Sequence, residues 1–516
     1  MSADGNGRPT AIADDGGKLD RGLLAISAVV VLGTIMSILD TTIVNIAINH
    51  LSTDFNAPLP TIQWVATGYL LALATVIPLT GWAADRFGTK RLYMTSLALF
   101  LAGSALSGAA WSAHSLIFFR ILQGLGGGMI MPAGMTILTQ AAGPQRVGRI
   151  MSVVGAPMLL GPILGPVLGG WLVDDVSWRW IFYVNLPIGI VALTMAQRIL
   201  KPDTTHPQHR LDWRGLLLLS PGLAALVYGL AEVGTHGGFT GPKEIVSTLA
   251  GVLLVAGFVR HALRIDDPLI DVRLFKRRTP AVSGLTMSLF AAAFFGAMLL
   301  LPLYYQVARG QSALHAGLLM IPQGVGAAVM MPIAGRIVDR TGAARIVLPG
   351  LGLVIAGFAV FTQVGAHTSY VLLCSASLVA GLGIGATMMP TMAAAYQTLA
   401  PVEIARATTA FNIVQRGFGA LGTALVSVIL ATRLADELPG AQGASQSLQA
   451  AQSVPPALHA RVAPHIADAF GSTYVWALAL IVLASIPALF LPRSKPAVAQ
   501  PAAERADEAV AVAIEV

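Results

Sequence analysis

Charge is scarce in this chain. Asp, Glu, Lys and Arg make up 11% of its 516 residues, against roughly 25% in an ordinary soluble domain, while 55% are hydrophobic. That excludes a disordered chain and disfavours a soluble enzyme of this length. Cysteine is nearly absent: Cys374 stands alone, so no internal disulfide forms and the redox compartment stays open. No signal-peptide pattern precedes the first apolar run, so the N-terminus is expected to be retained. Walker-type phosphate loops, metal-ligand spacings and Ser/His constellations are also missing, and the ten histidines fall in loops or near the ends of apolar runs. These absences argue against an intramembrane enzyme and against direct ATP use. No cofactor and no metal site is expected.

What is present is a series of apolar runs of about 20 residues, each long enough to cross the roughly 30 Å hydrocarbon core as a helix. Fourteen are read, near 22–46, 62–84, 92–111, 115–139, 149–172, 180–199, 214–233, 244–263, 281–305, 313–335, 346–365, 369–394, 405–431 and 472–492. The expected fold is an all-α integral membrane protein with fourteen transmembrane helices. Many of the 54 glycines and 30 prolines lie inside the runs, where membrane helices tolerate them.

The cations are unevenly placed. The two tails and alternate loops between them hold 25 of the 32 Lys and Arg. The opposite loops hold five (Arg179, Lys243, Arg309, Arg433 and Arg461), and Arg120 and Arg416 lie within spans. The positive-inside rule then puts both termini in the cytoplasm. Basic charge is thereby explained as topology, so the lipid bilayer is an expected partner and nucleic acid is not.

One internal repeat supports the layout. Gly81, Asp85, Arg86, Gly88 and Arg91 recur as Gly335, Asp339, Arg340, Gly342 and Arg345 with identical spacing, after spans 2 and 10. Related loops at equivalent places indicate two related halves, as in secondary transporters. Because the loops are eight spans apart rather than six, two spans are inserted between the halves. The expected organisation is an N-tail over 1–20, a six-helix bundle over 21–200, the inserted pair with its linkers over 201–279, a second six-helix bundle over 280–492, and a C-tail over 493–516. The outer loop 432–471 reads as a solvated connector with a short helix near 456–469, and the tails as disordered.

A charge at the bilayer centre costs at least about 2.5–3.5 kcal/mol on insertion scales, so intramembrane ionisable residues are functional candidates. Three survive a scan: Asp40 in span 1, Arg120 in span 4 and Arg416 in span 13. At about 1.5 Å per residue, Asp40 and Arg120 reach similar depth, which predicts a pair. Burial disfavours the charged carboxylate and Arg120 favours it, so alternating access can load and unload a proton there. The competing role is a permanent ion pair that only fixes packing. Arg416, flanked by Asn412 and Gln415, has no acid nearby in sequence. Three roles stay open for it: facing an aqueous cavity, binding an anionic substrate group, or holding backbone carbonyls.

The loop Gly81-Trp82-Ala83-Ala84-Asp85-Arg86-Phe87-Gly88-Thr89-Lys90-Arg91 has glycines for close helix approach and a tight turn, and Asp85 to pair with cations or cap a helix. It closely resembles the signature loop of the major facilitator superfamily, where it acts as a latch between conformations. The second copy carries Ala344 in place of Lys90, which suggests a weaker latch. Span 4 contains Arg120-Ile121-Leu122-Gln123-Gly124, which looks like that superfamily's Arg-x-x-Gln-Gly pattern associated with proton transfer. Span 5 carries Gly161, Pro162, Gly165, Pro166, Gly169 and Gly170, a smooth packing face with kinks, similar to the antiporter motif of drug:proton exchangers. Leu39 to Asn45, Ser177 to Pro187 and Leu303 to Gln306 also resemble the fourteen-span drug:proton antiporter family. Trp178 and Trp180 fit interfacial anchors as well.

The resemblance implies a midplane cavity lined by spans 1, 2, 4, 5, 9, 10, 12 and 13. Its candidate residues are Met36, Tyr69, Gln123, Met131, Met158, Phe294, Tyr305, Gln306, Met388, Met389, Phe411, Asn412, Gln415 and Arg416, since Met adapts to varied shapes and aromatics attract organic cations. The expected function is proton-gradient-driven export of drug-like or amphipathic compounds across a bacterial inner membrane, with a periplasmic adaptor as a partner that some relatives use. The nearer alternative is a same-fold transporter of a metabolite such as an amino acid, sugar or siderophore. An intramembrane enzyme or a receptor is the more distant one.

Overall fold

A computed structural model of the chain describes residues 20–143, 146–151, 155, 165, 168–201, 210–239, 241–400, 403–437, 451 and 456–493. Every regular element among them is helical. The helices are α1 (Arg21–Asp54), α2 (Leu59–Val76), α3 (Leu79–Phe87), α4 (Thr89–Gly108), α5 (Ala113–Ala142), α6 (Trp180–Tyr183), α7 (Asn185–Ile199), α8 (Trp213–His236), α9 (Pro242–Ala262), α10 (Arg278–Leu303), α11 (Ala313–Thr341), α12 (Ala344–Phe361), α13 (Tyr370–Tyr396), α14 (Ile404–Glu437) and α15 (Pro456–Ala488). Eleven membrane-length apolar helices are present among the described residues, twelve with one bent pair counted as a single span. The expected span 92–111 is helix α4, which carries the charged Lys90 and Arg91 in its first turn and lies outside that count. Most of the expected span 149–172 lies outside the described residues, as do both tails.

Local chemistry sets the helix ends. Asp20, Asp212, Ser312 and Ser369 each accept a backbone N–H at a helix start, and Ser112 forms a capping box with Ser115. The repeated loops end their helices identically: Gly88 and Gly342 are the C-caps of α3 and α11, with φ of 86° and 89°. Only glycine takes that conformation cheaply, which explains why both copies hold it.

Two expectations change. The run 62–84 is not one straight helix but α2 and α3, bent by 56° at Pro78, which lacks a backbone donor and whose ring clashes with the preceding turn. The expected short helix near 456–469 is not separate: α15 runs unbroken from Pro456 into the last span, and α14 continues to Glu437. Helical hydrogen bonding carries on where hydropathy drops, so composition alone misplaces both ends.

Helix α4 packs on α5, α5 on α2, α13 on both α11 and α12, and α10 on α14. The pair α8–α9 packs on itself and lies against α2 and α14. Ser220 of α8 donates to the Thr75 carbonyl of α2 at 2.6 Å, and Ser427 of α14 donates to the Gly234 carbonyl of α8 at 2.7 Å. Helix α9 turns Val246, Leu249 and Leu253 outward, a lipid-facing surface.

Candidate functional site

Asp40 and Arg120 meet. Arg120 Nη1 donates to Asp40 Oδ2 at 2.6 Å, and both side chains are inaccessible to solvent. The other carboxylate oxygen accepts from Gln123 Nε2 at 2.8 Å and from Asn185 Nδ2 at 3.1 Å. Asn185 also reaches Ser104 Oγ at 3.0 Å, Arg120 Nε donates to the Val65 carbonyl at 3.2 Å, and Arg120 Nη1 donates to Gln123 Oε1 at 2.8 Å. The guanidinium lies 4.0 Å from the centre of the Tyr69 ring, a cation–π contact that offsets part of its desolvation. Five helices, α1, α2, α4, α5 and α7, thus converge on one carboxylate. Three donors match the ionised form, which only accepts.

One residue further along α1 the surroundings change. Thr41, with Thr34 and Ser37, lines a cavity of about 300 Å³. Met131, Phe294, Phe295, Met298, Met388 and Met389 supply apolar walls, and Asn412, Gln415 and Arg416 a polar patch on α14. Asp40 is fully buried behind this lining. Arg416 is the one charged residue among the described lining residues, and its guanidinium makes no hydrogen bond or ion pair with a described residue.

The repeated loops each reach across the molecule. Asp85 Oδ2 accepts from Arg406 Nε at 3.0 Å, at the start of α14, and Arg406 Nη1 also holds Asp267 at 2.6 Å. Asp339 accepts the backbone N–H groups of Gly148 at 2.9 Å and Arg149 at 3.1 Å. The approaches are close: a Cβ on Gly148 would lie 2.6 Å from Asp339 Oδ1 and 2.8 Å from the Gly335 carbonyl, which only glycine allows, and one on Gly81 would sit tightly at 3.3 Å from Arg406 Cα. The two contacts are comparable: Asp85 is tied to the start of α14, and Asp339 to the backbone at Gly148 and Arg149. Lys90 does something else, donating to the Gln197 and Leu200 carbonyls at the end of α7. Its replacement by Ala344 therefore does not bear on the bonds that Asp339 makes across the molecule.

Beside the Asp85–Arg406 pair, Arg277 and Glu403 form a bidentate pair at 2.9 and 2.7 Å. Burial pushes the Glu403 carboxyl up, but hydrogen bonds from Arg277 and the Ala400 N–H, with the attraction of Arg277, hold it below its ordinary value. A depressed carboxyl stabilises the fold fully above its unfolded value of about 4.3 and loses that contribution as pH falls through the depressed value. This partly exposed pair is therefore constant across the neutral range.

The sequence matches the Major Facilitator Superfamily across residues 30–423. The chain belongs to that superfamily. It is 42% identical over 494 residues to the multidrug resistance protein B homolog of Mycobacterium tuberculosis (strain ATCC 25618 / H37Rv), covering 93% of this chain and 92% of that one. It is 30% identical over 408 residues to the multidrug export protein EmrB of Escherichia coli (strain K12), covering 78% and 79%. In fold it is similar to a double-tryptophan variant of XylE, with a TM-score of 0.60 at 16% identity over 92% of this chain and 97% of that one.

Within this superfamily fold, half of the sequence-derived cavity candidates line the cavity: Met131, Phe294, Met388, Met389, Asn412, Gln415 and Arg416. Six lie elsewhere. Gln123 is bonded to Asp40 and Tyr69 covers Arg120; Met36 is buried among α2, α4 and α5 residues. Tyr305 packs in the core beside Tyr304, Gln306 faces outward, and Phe411 packs against Phe275 and Tyr396. Hydropathy cannot separate these because it is blind to which way a helix faces. Met158 lies outside the described residues, with Gly161, Pro162 and Pro166. Of the remaining span-5 glycines, Gly169 is buried, Gly170 meets open space, and Gly165 is pressed against Thr42. Trp178 is not an interfacial anchor: it is buried and donates to Asp54 Oδ2 at 2.8 Å, whereas Trp180 is half exposed.

Asn185, which the sequence shows only as part of the Ser177–Pro187 segment, takes a definite role here, as do Arg406 and the threonine–serine stripe of α1. Thr34, Ser37 and Thr41 stand at i, i+3 and i+7, a helical polar face visible by periodicity, and a scan for uncharged amides within spans finds Asn185. Glu232, His236 and Glu244 also come together. Their ligand-type atoms lie within 4.8 Å of one another, and His236 Nδ1 is 3.1 Å from Glu244 Oε1, joining the ends of α8 and α9.

A Cβ on Gly165 would lie 2.6 Å from Thr42 Cβ and closer still to its hydroxyl. Overpacking of this kind costs about 1–3 kcal/mol. Gly165→Ala is expected to lower the melting temperature of the detergent-purified protein and slow transport in vesicles. Moving the glycine across the contact, with Thr42→Gly added, is expected to recover most of both.

Proposed function

We propose that this chain is a proton-coupled antiporter that exports drug-like or amphipathic organic compounds from the cytoplasm or inner leaflet. Its place is the inner membrane, with both termini cytoplasmic. The observation that carries the reading is the buried Asp40 cluster, one residue along α1 from the cavity wall. A transporter with no energy coupling gains nothing from burying a carboxylate there, since a buried ion pair is weak support for stability. The names of the relatives, multidrug resistance and multidrug export proteins, support the cargo class.

Proton and cargo meet different side chains of one helix, so they do not compete for the same atoms. A proton on Asp40 cancels the charge that holds Arg120 and turns one oxygen from acceptor into donor. The neutral acid keeps acceptor capacity, but its new O–H competes with the donors Arg120, Gln123 and Asn185 around it, and α1 is free to repack. The latched arrangement, with Asp40 ionised, is the state that faces outward and awaits a proton. Protonation releases cargo; reversal of the rocking motion breaks both latches, sheds the proton to the cytoplasm and reopens the cavity for loading. The test is proton-dependent uptake into everted membrane vesicles of fluorescent amphipaths of either charge. The expected result is accumulation that collapses with a protonophore; accumulation of amino acids or sugars instead would favour the metabolite reading.

A further inference from the structure

We propose that Arg416 is the recognition point for a negatively charged group on the exported compound, so that the cavity selects amphipathic organic anions. This rests on the export reading for its context, although the binding it describes stands apart from proton coupling. Two other arginines at helix contacts, Arg120 and Arg406, show what Arg416 lacks. Arg120 has a carboxylate, an amide oxygen and a backbone carbonyl. Arg406 has two carboxylates. Arg416 has none among the described residues, yet it is held at mid-membrane depth on α14, where an unpaired guanidinium is costly. A cost of that kind is retained where the missing partner arrives from outside.

The cavity supplies no internal candidate. No Asp or Glu is among its described lining residues, and Asp40, the buried acid of α1, is held by Arg120, Gln123 and Asn185. The space therefore carries a net positive charge. Next to Arg416, the Gln415 amide makes no hydrogen bond with a described residue and lines the same cavity, so donors from two adjacent residues are available. Asn412 Nδ2 is already committed to the Thr408 carbonyl at 2.9 Å, which keeps that amide in place beside them. A guanidinium presents a planar fork of N–H donors that matches a carboxylate, sulfonate or phosphate. Around it the walls are Met and Phe, which fit varied apolar bodies. One anionic head on an apolar body meets every feature of this space; a cationic amphipath meets the aromatic rings but is repelled by Arg416.

The experiment uses the full-length protein in detergent and three fluorescent ligands that share one apolar body: pyrenebutyrate, its primary amide and pyrenebutylamine. The carboxylate is expected to bind about tenfold or more tightly than the amide, as a charged hydrogen-bonded contact requires, and the amine most weakly. Arg416→Gln is expected to bind carboxylate and amide within about twofold of each other, and Arg416→Lys to keep part of the preference. Equal or stronger binding of the amide or amine by the native protein overturns the assignment without any variant. A carboxylate preference that survives Arg416→Gln overturns it too. The same ligands in everted vesicles separate this inference from the one beneath it. Charge-selective binding without proton-linked movement of any compound leaves Arg416 as an anion site and defeats the antiport reading. Proton-linked export of the amide and amine with no affinity for the carboxylate does the reverse.

Discussion

Asp40→Asn is expected to reduce proton-driven export to the background of vesicles lacking the protein, while the chain still reaches the membrane. The substitution keeps the shape of the side chain but removes the ionisable group. It also aims an amide donor into a site already filled with donors from Arg120, Gln123 and Asn185. Arg120 is left buried without its counter-charge, a loss worth about 3–5 kcal/mol in comparable sites, so a fall in melting temperature accompanies the loss of transport. The decisive comparison is Asp40→Asn with Arg120→Gln. Removing both charges restores stability, because no unpaired ion remains. If the pair serves only to hold helices together, export returns with stability; if Asp40 carries the proton, export stays absent. Export and melting temperature measured on the same preparations decide between them.

The second large effect is expected at the latches. Asp85→Ala removes the carboxylate that holds Arg406 Nε, and Asp339→Ala removes the acceptor for the Gly148 and Arg149 N–H groups. Either change alone shifts the balance away from the latched arrangement; together they are expected to abolish export, since nothing equivalent replaces them. Cys374 is the sole cysteine, so Cys374→Ser provides a thiol-free background. A probe cysteine at Ser37, on the cavity wall, then reports access. With both latches removed, labelling from the cytoplasmic side is expected to rise severalfold, and the Asp40–Arg120 contact to remain. Unchanged labelling of the double variant would show that other contacts hold that face shut.

Much of this was legible in the sequence because it is local. A membrane span is written in some twenty consecutive residues, and the depth of a charge follows from its distance to the span's end, so Asp40 and Arg120 could be matched without coordinates. The glycines at 88 and 342 announced their turns. What could not be read was pairing across long separations. The partner of Asp85 is 321 residues away, and nothing in the composition around Arg406 distinguishes it from any other cation at a span end. Facing was the other loss: Gln123 and Met131 lie eight residues apart on α5, yet one bonds the buried carboxylate and the other lines the cavity. Periodicity resolves such cases only where polar residues form a stripe, as on α1.

Helix α14 carries both Arg406, in the latch, and Arg416, in the cavity, ten residues apart and therefore separated by about 15 Å of continuous helix. A rod that bears the gate at one end and the cargo contact further along cannot have the two adjusted independently. By thermodynamic reciprocity, whatever factor bound cargo applies to latch closure, latch closure applies to cargo affinity. Weakening the latch should thus show up as a changed dissociation constant for compounds that never touch it. An empty transporter and a loaded one would differ in how readily they open.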